Sequence, residues 1–525
     1  MGEARLWTGG RVFTGGRYAD AVLVDQGTVV AVGSEAEVRR SAPTGTEVVR
    51  LGGRLVLPGL IDAHLHVEDL ARFREGLDLT EVRGLDDLIR RLREWSAAHP
   101  TGPVVGVGLD VDRGLHGRWP LREDLDRVVN DRPVVLYHAS GHAAVANDRA
   151  LAAAGVESRS ATELRGRVGT TAGGRANGIL YEEALRWVAP LTETPLDPEA
   201  MVRTLGFLAS FGLTTVASMN VSPEELAGLR SLAAEGRLPI RVRCYLRLLS
   251  IGDVRGPDLA PVGRPGRFAV VGTKGFTDGA FGPRTAWLSE PYADAPEGSG
   301  LAVEPDEALS RALATASDLG LAPALHAIGD RAVERAAHLL APYVRRVGAC
   351  ARIEHVGLTP PSVLSVLNTV RPALVVQPGF VWSDSWLSDR LGADRVRWAY
   401  AFRTLTDLGH LLVGSSDTPY DPPDPWRGLR AATERRDELG RSANPDPREA
   451  LTFEEAACLY GSNAGKALGE PSLGSLEVGS KADLIVLDAR NLGEAIRLGA
   501  TAVRETWVDG VRVSPVGEAE RGARG

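Results

Sequence analysis

Lysine is almost missing from this chain. Among 60 lysines and arginines only Lys274, Lys466 and Lys481 are lysine. Arginine serves nearly everywhere that a generic positive charge is enough, so each remaining lysine is a candidate for a task that a guanidinium cannot perform. Cysteine is equally scarce: Cys244, Cys350 and Cys458 are too widely spaced for a disulfide framework or a CxxC metal pair. There is no surplus of positive charge, since 68 acidic residues outnumber the basic ones and leave a net charge of -8. That balance gives no support to a nucleic-acid partner, which would want a basic stripe. No apolar run is long enough to span a bilayer, and the opening MGEARLWTGGRVF lacks the basic-then-apolar pattern of a secretion signal. The expectation is a cytoplasmic protein acting on a small molecule, with no membrane partner. A homodimer is expected only as the commonest assembly.

What remains is a chain of 525 residues, 44% apolar, long enough for one large domain and a smaller one. Residues 1–56 alternate apolar and polar positions between glycine-rich turns, which is hairpin patterning. The far end, 470–525, reads alike in GSLEVGSKADLIVLD and AVRETWVDGVRVSP. Both ends are therefore expected to build one small β domain. The middle, 57–469, alternates eight apolar segments with helical or loop sequence: 55–66, 214–219, 241–248, 268–276, 321–327, 351–356, 373–379 and 410–417. Strands apolar on both faces, separated by helices, predict a (β/α)₈ barrel. The stretch 72–200 does not fit a single connecting helix and is expected to be an insertion over the barrel mouth.

Catalytic groups of such a barrel sit at the carboxyl ends of its strands. The first segment ends in Asp62, His64 and His66. Residues two apart on a strand point the same way, so both imidazoles can reach one cation, with Asp62 one step deeper to orient them. The fourth segment carries Lys274, the fifth ends at His326, the sixth at His355 and the eighth at Asp417. Taken singly, each histidine reads more readily as a core residue and Asp417 as a turn former; the series of strand ends favours a metal site. An ammonium has no lone pair and cannot coordinate a cation. A Lys274 in this series must be neutral or modified, and a carbamate made with CO₂ would provide two oxygens able to bridge two ions. His142, Arg284 and Asp278 are candidate substrate contacts, Asp278 also as a supporting residue on the Lys274 face. Trp119 and Trp287 would serve either as a pocket wall or as packing.

The motifs PGLIDAHLH, KGFTDGAFGPRTAWL, HAIGDRAV, RIEHV, GSSDTP and GSLEVGSKADLIVLD resemble the amidohydrolase superfamily. Within it they are similar to the family 3 branch that includes N-substituted formamide deformylases, and WPLREDLDRVVNDRPVVLYHASGHAAVANDRAL of the insertion matches that branch. The resemblance implies a deformed TIM barrel with a β-sandwich built from both ends. It implies His64 and His66 on one ion, His326 and His355 on a second, the Lys274 carbamate between them, and Asp417 as ligand, general base and proton shuttle. The ions are expected to be zinc, with manganese, iron or cobalt as alternatives. The reaction implied is hydrolysis of a linear, non-peptide C–N bond in a small N-acyl or N-formyl compound by metal-activated hydroxide. A cyclic-amide hydrolase or deaminase is the rival on the same scaffold. A non-catalytic, metal-binding regulatory homologue is the rival from another class.

Overall fold

A computed structural model of the chain describes residues 4–139, 141, 143–164, 167–181, 184–192, 197–347 and 350–514. Eight parallel strands form the barrel sheet: β1 Leu60–Leu65, β2 Leu213–Val221, β3 Arg241–Arg247, β4 Phe268–Phe276, β5 Ala322–Ala327, β6 Arg352–His355, β7 Ala373–Val376 and β8 Leu412–Gly414. Each pairs in parallel with its neighbour in sequence from β1 to β8. Helices such as Asp306–Asp318, Asp330–Val347 and Pro361–Val370 separate the later strands. The architecture is the deformed TIM barrel that the alternating apolar segments predict.

The first predicted strand divides in two. Leu55–Pro58 joins the sheet made by the chain ends, and only Leu60–Leu65 enters the barrel. The break falls at Gly59, where an added Cβ would lie 2.3 Å from the Thr214 side chain. Only glycine lets the chain pass that close to β2 as it changes sheets. A continuous apolar run does not reveal this break.

The second sheet has the order Val511–Ser514, Val503–Val508, Leu484–Leu487, Leu55–Pro58, Arg5–Phe13, Tyr18–Asp25, Thr28–Gly33, with Glu47–Arg50 also on Arg5–Phe13. The strands of the two chain ends thus form adjacent blocks, joined where Leu484–Leu487 pairs antiparallel with Leu55–Pro58. Trp7 and Trp507, one from each end, meet edge to face at 5.4 Å between ring centres in its core.

Val67–Thr204 is a compact unit of its own. Its six-stranded sheet includes Val104–Leu109, Val134–His138 and Ala143–Ala146. Successive residues of one strand serve opposite faces: Val134 and Leu136 pack with Leu88 and Leu92 of helix Leu85–Ala98, while Val135 packs with Ala144 and Leu151. That is the period of two expected of a sheet covered on both sides. Among the described residues, no helix is long and apolar enough to cross a membrane.

A buried ion cluster ties the barrel to the chain's far end. The Arg241 guanidinium at the start of β3 donates to both Asp483 oxygens at 2.8 and 3.0 Å and also to Asp509. Arg241 is fully buried and Asp483 is 2% exposed. Removing one partner leaves a buried charge unmatched. Asp483→Ala is therefore expected to lower stability by about 3–5 kcal/mol, read as the shift in a urea denaturation curve; a loss below about 1 kcal/mol would contradict this role.

Candidate metal centre

Among the described residues no backbone ladder joins β1 to β8. Other bonds bridge this seam. The Asp417 N–H donates to the His64 carbonyl at 2.8 Å and the His66 N–H to the Thr418 carbonyl at 3.0 Å. Oδ1 of the buried Asp62 carboxylate accepts from the His64 N–H at 3.2 Å and the Ser416 N–H at 3.1 Å. Asp62 thus fixes the backbones that carry His64 and Asp417 and does not touch their side chains' ring or carboxylate atoms. Burial pushes its own carboxyl up to about 7.

The seam brings three groups together. Oδ1 of Asp417 lies 3.2 Å from His64 Nε2 and 3.3 Å from His66 Nε2, and its Oδ2 lies 3.9 Å from His355 Nδ1. His64, His355 and Asp417 each offer a ligand atom, all within 4.8 Å of one another. This trio crosses the partition implied by the family resemblance, in which His355 serves the second ion. The His355 ring also lies 4.3 Å from the His326 ring and 4.9 Å from the His64 ring, centre to centre. Lys274 Nζ stands 3.3 Å from His64 Nε2 and 4.9 Å from the Phe276 ring. Five strand ends therefore bring His64, His66, Lys274, His326, His355 and Asp417 to one place.

Each of three imidazoles is anchored through one nitrogen. His64 Nδ1 lies 2.6 Å from Glu354 Oε2, His355 Nδ1 lies 2.9 Å from Gln377 Oε1, and His326 Nε2 lies 2.9 Å from the Gly279 carbonyl. The Gln377 amide is itself oriented, because its Nε2 donates to Ser415 Oγ at 3.0 Å. A ring nitrogen that donates to an acceptor leaves the other with a lone pair. His64 Nε2 then faces a carboxylate oxygen at 3.2 Å, acceptor against acceptor. A cation between them removes that repulsion, so the donor set fits a divalent metal.

The electrostatics agree. Burial holds the His355 imidazole down at about 3, against the pull of Asp417. Burial, helped by His355 and Lys274, holds His326 well below the ordinary histidine range. Burial alone would raise the Asp417 carboxyl, but His64, His66 and His355, where they carry a proton, outweigh it and keep it well below the usual carboxylate range; against a bare Nε2 a bound cation would take over that role. For Lys274, burial is the largest influence and brings the amine down to about 8; Glu354 and Asp417 pull it up, and Arg352 opposes them.

Backbone strain marks two of these positions. His355 has φ 74° and Asp417 φ 63°, both left-handed. Glu354 and His355 are consecutive, and an uninterrupted strand would send them to opposite faces. Turning the chain at His355 lets both neighbours serve His64. Such conformations cost about 1–3 kcal/mol each and persist where the surroundings enforce them.

The remaining candidates are placed differently. Asp278 is not free to meet a substrate: its Oδ1 accepts from the Ile328 N–H at 3.0 Å, and its Oδ2 from the Gly329 and Trp287 N–H groups at 2.8 and 2.9 Å. It is 2% exposed and stands 3.5 Å from His326 Nε2, where it supports that histidine. Arg284 donates to Asp294 at 2.8 and 3.1 Å, and Arg390 shares that carboxylate, so two guanidinium groups are held on one anion. His142 lies outside the described residues. Trp119 packs against the Val67–Thr204 core, and Trp287 carries the Arg331 and Arg335 guanidinium groups 5.3 and 5.9 Å from its ring centre. Glu354, Arg352 and Gln377 escape a reading for strand-end ligands. The available signal is the pair Arg352 and Glu354, two charges on one face of an otherwise apolar strand.

The Amidohydrolase family model matches residues 47–514. The Bacillus subtilis (strain 168) protein YtcJ, named as an amidohydrolase, is 31% identical over 526 residues, covering 96% of this chain and 98% of its own. The N-substituted formamide deformylase of Arthrobacter pascens is 27% identical over 515 residues, covering 94% of both chains. The crystal structure of an uncharacterized metal-dependent hydrolase from Pyrococcus horikoshii OT3 matches with a TM-score of 0.78 at 30% identity, covering 93% of this chain and 98% of that one.

Proposed function

Because the chain belongs to the amidohydrolase family, we propose that it is a metal-dependent hydrolase of a linear, non-peptide amide in a small N-acyl or N-formyl compound. The observation that carries this reading is the approach of His64 Nε2 and His66 Nε2 to one Asp417 oxygen, at 3.2 and 3.3 Å. The N-formyl class is favoured by the name of the Arthrobacter relative.

His64, His66 and Asp417 would hold one ion, His326 and His355 a second, and a Lys274 carbamate would join them. Zinc suits the imidazole and carboxylate donors, with manganese, iron or cobalt as alternatives. When bound, such ions supply Lewis acidity, polarising a carbonyl and acidifying water. Asp417 is ionised at neutral pH, so its carboxylate can take a proton from the attacking water. It then returns that proton to the departing nitrogen, one group serving as base and then as acid. The buried amine of Lys274 favours this two-ion hydrolase over a one-ion deaminase.

Asp417→Asn keeps the volume and loses the proton carrier. With wild-type substrates first found on a panel of N-formyl and N-acyl amines, the variant is expected to lose about 10²–10⁴-fold in turnover. Unchanged turnover would contradict the role of Asp417.

The carbamate has its own test. The neutral amine attacks CO₂, forming the N–C bond and releasing one proton, so the reaction needs the unprotonated form. With the amine near 8, that fraction rises as pH passes upward through 8 and falls below it. In ¹³C-bicarbonate, a carbamate carbon signal should grow from pH 7 to 9 in the wild type and be missing in Lys274→Met. No signal at any pH would refute the modification.

A further inference from the structure

The barrel core directly behind the centre holds an ion pair where apolar packing would be expected. Arg352 and Glu354 are both fully buried. The guanidinium forks onto the carboxylate, Nε to Oε1 and Nη2 to Oε2. The guanidinium also reaches three further strands: Nη2 lies against the Ala63 carbonyl on β1 and, at 3.8 Å, Met219 Sδ on β2, and Nη1 donates to the Tyr245 hydroxyl on β3 at 3.1 Å. The Arg352 guanidinium also lies 4.4 Å from the Tyr245 ring centre. Contacts with β1, β2 and β3 from a residue of β6 are geometrically open only to a side chain inside the barrel. Room for it comes from alanines on four strands, Ala63, Ala217, Ala324 and Ala373, in the same core.

A buried pair of this kind is a poor source of stability, because desolvating two charges offsets their attraction and an apolar replacement is often neutral or better. Its position suggests another use. Glu354 Oε2 is 2.6 Å from His64 Nδ1, and Arg352 grips the carbonyl of the residue before His64. We propose that the Arg352–Glu354 pair is a positioning device that fixes His64 as the Nδ1–H tautomer and locks its ring, so that Nε2 presents a lone pair toward Asp417, 3.2 Å away, and Lys274. Arg352 keeps Glu354 an acceptor, and the four-strand grip denies both side chains another rotamer. Neither residue touches the reacting atoms. The inference rests on the metal-hydrolase reading only for its purpose; the tautomer itself is a property of the metal-free protein.

The test uses full-length protein labelled with ¹⁵N-histidine, stripped of metal and held near pH 9, above the ordinary histidine range. Long-range ¹H–¹⁵N spectra should show His64 protonated at Nδ1 and bare at Nε2, identified by loss of its signals in His64→Asn. Glu354→Leu leaves Arg352 unmatched in the core and threatens folding, so the decisive variant is Arg352→Met with Glu354→Leu. This double variant is expected to melt within a few degrees of the metal-free wild type. It should show a mixed His64 tautomer and bind zinc about 10–100-fold more weakly in competition with a chromogenic chelator. A purely structural pair would shift melting and leave zinc affinity and tautomer unchanged, which overturns the proposal. An Nε2–H tautomer in the wild type overturns it as well. A wild type that shows the Nδ1–H tautomer but binds no zinc supports the device and overturns the functional reading instead.

Discussion

Everything at the mouth of this barrel depends on how its first and eighth strands meet. Seven neighbouring strand pairs are joined by parallel ladders, but β1 and β8 are held by the Asp417 N–H on the His64 carbonyl, the His66 N–H on the Thr418 carbonyl, and Asp62 between both backbones. The seam leaves Asp417 in a left-handed conformation with its carboxylate against two imidazoles. A regular ladder there would alternate side chains in and out of the barrel. The irregular junction therefore converts a structural join into a cluster of donors.

Around that seam, each ligand-type side chain has a support of its own. Glu354 and Arg352 stand behind His64, Gln377 and Ser415 behind His355, and Gly279 and Asp278 beside His326. Glu354, Arg352, Gln377, Ser415 and Asp278 are buried, so they hold the rings from within the packed interior. Burial also keeps His355 and His326 unprotonated and lowers the Lys274 amine to about 8, which favours the forms in which nitrogen can bind a metal or CO₂.

The barrel was legible in the sequence because parallel strands buried on both faces leave unbroken apolar runs, and eight of them alternate with helical segments. The division of 55–66 between two sheets was not, since Leu55–Pro58 and Leu60–Leu65 are equally apolar and only a close approach at Gly59 separates them. The sheet of Val67–Thr204 was also hidden, because its strands are short and mixed with small helices. At the centre, His64 and His66 announced themselves by spacing, and Lys274 by the rarity of its kind. Glu354 gave only the weaker sign of its pairing with Arg352: a charged residue is ordinarily taken for surface, and the left-handed backbone at His355 is invisible in the sequence.

The central claim is that these side chains hold two metal ions joined through a modified Lys274. Diffraction from crystals grown with bicarbonate and zinc, recorded on both sides of the zinc absorption edge, tests it most directly. Two anomalous peaks about 3.5–4 Å apart are expected, one beside His64, His66 and Asp417 and the other beside His326 and His355, with density extending from Lys274 Nζ to both. A single peak beside a bare lysine amine, or none, would contradict it.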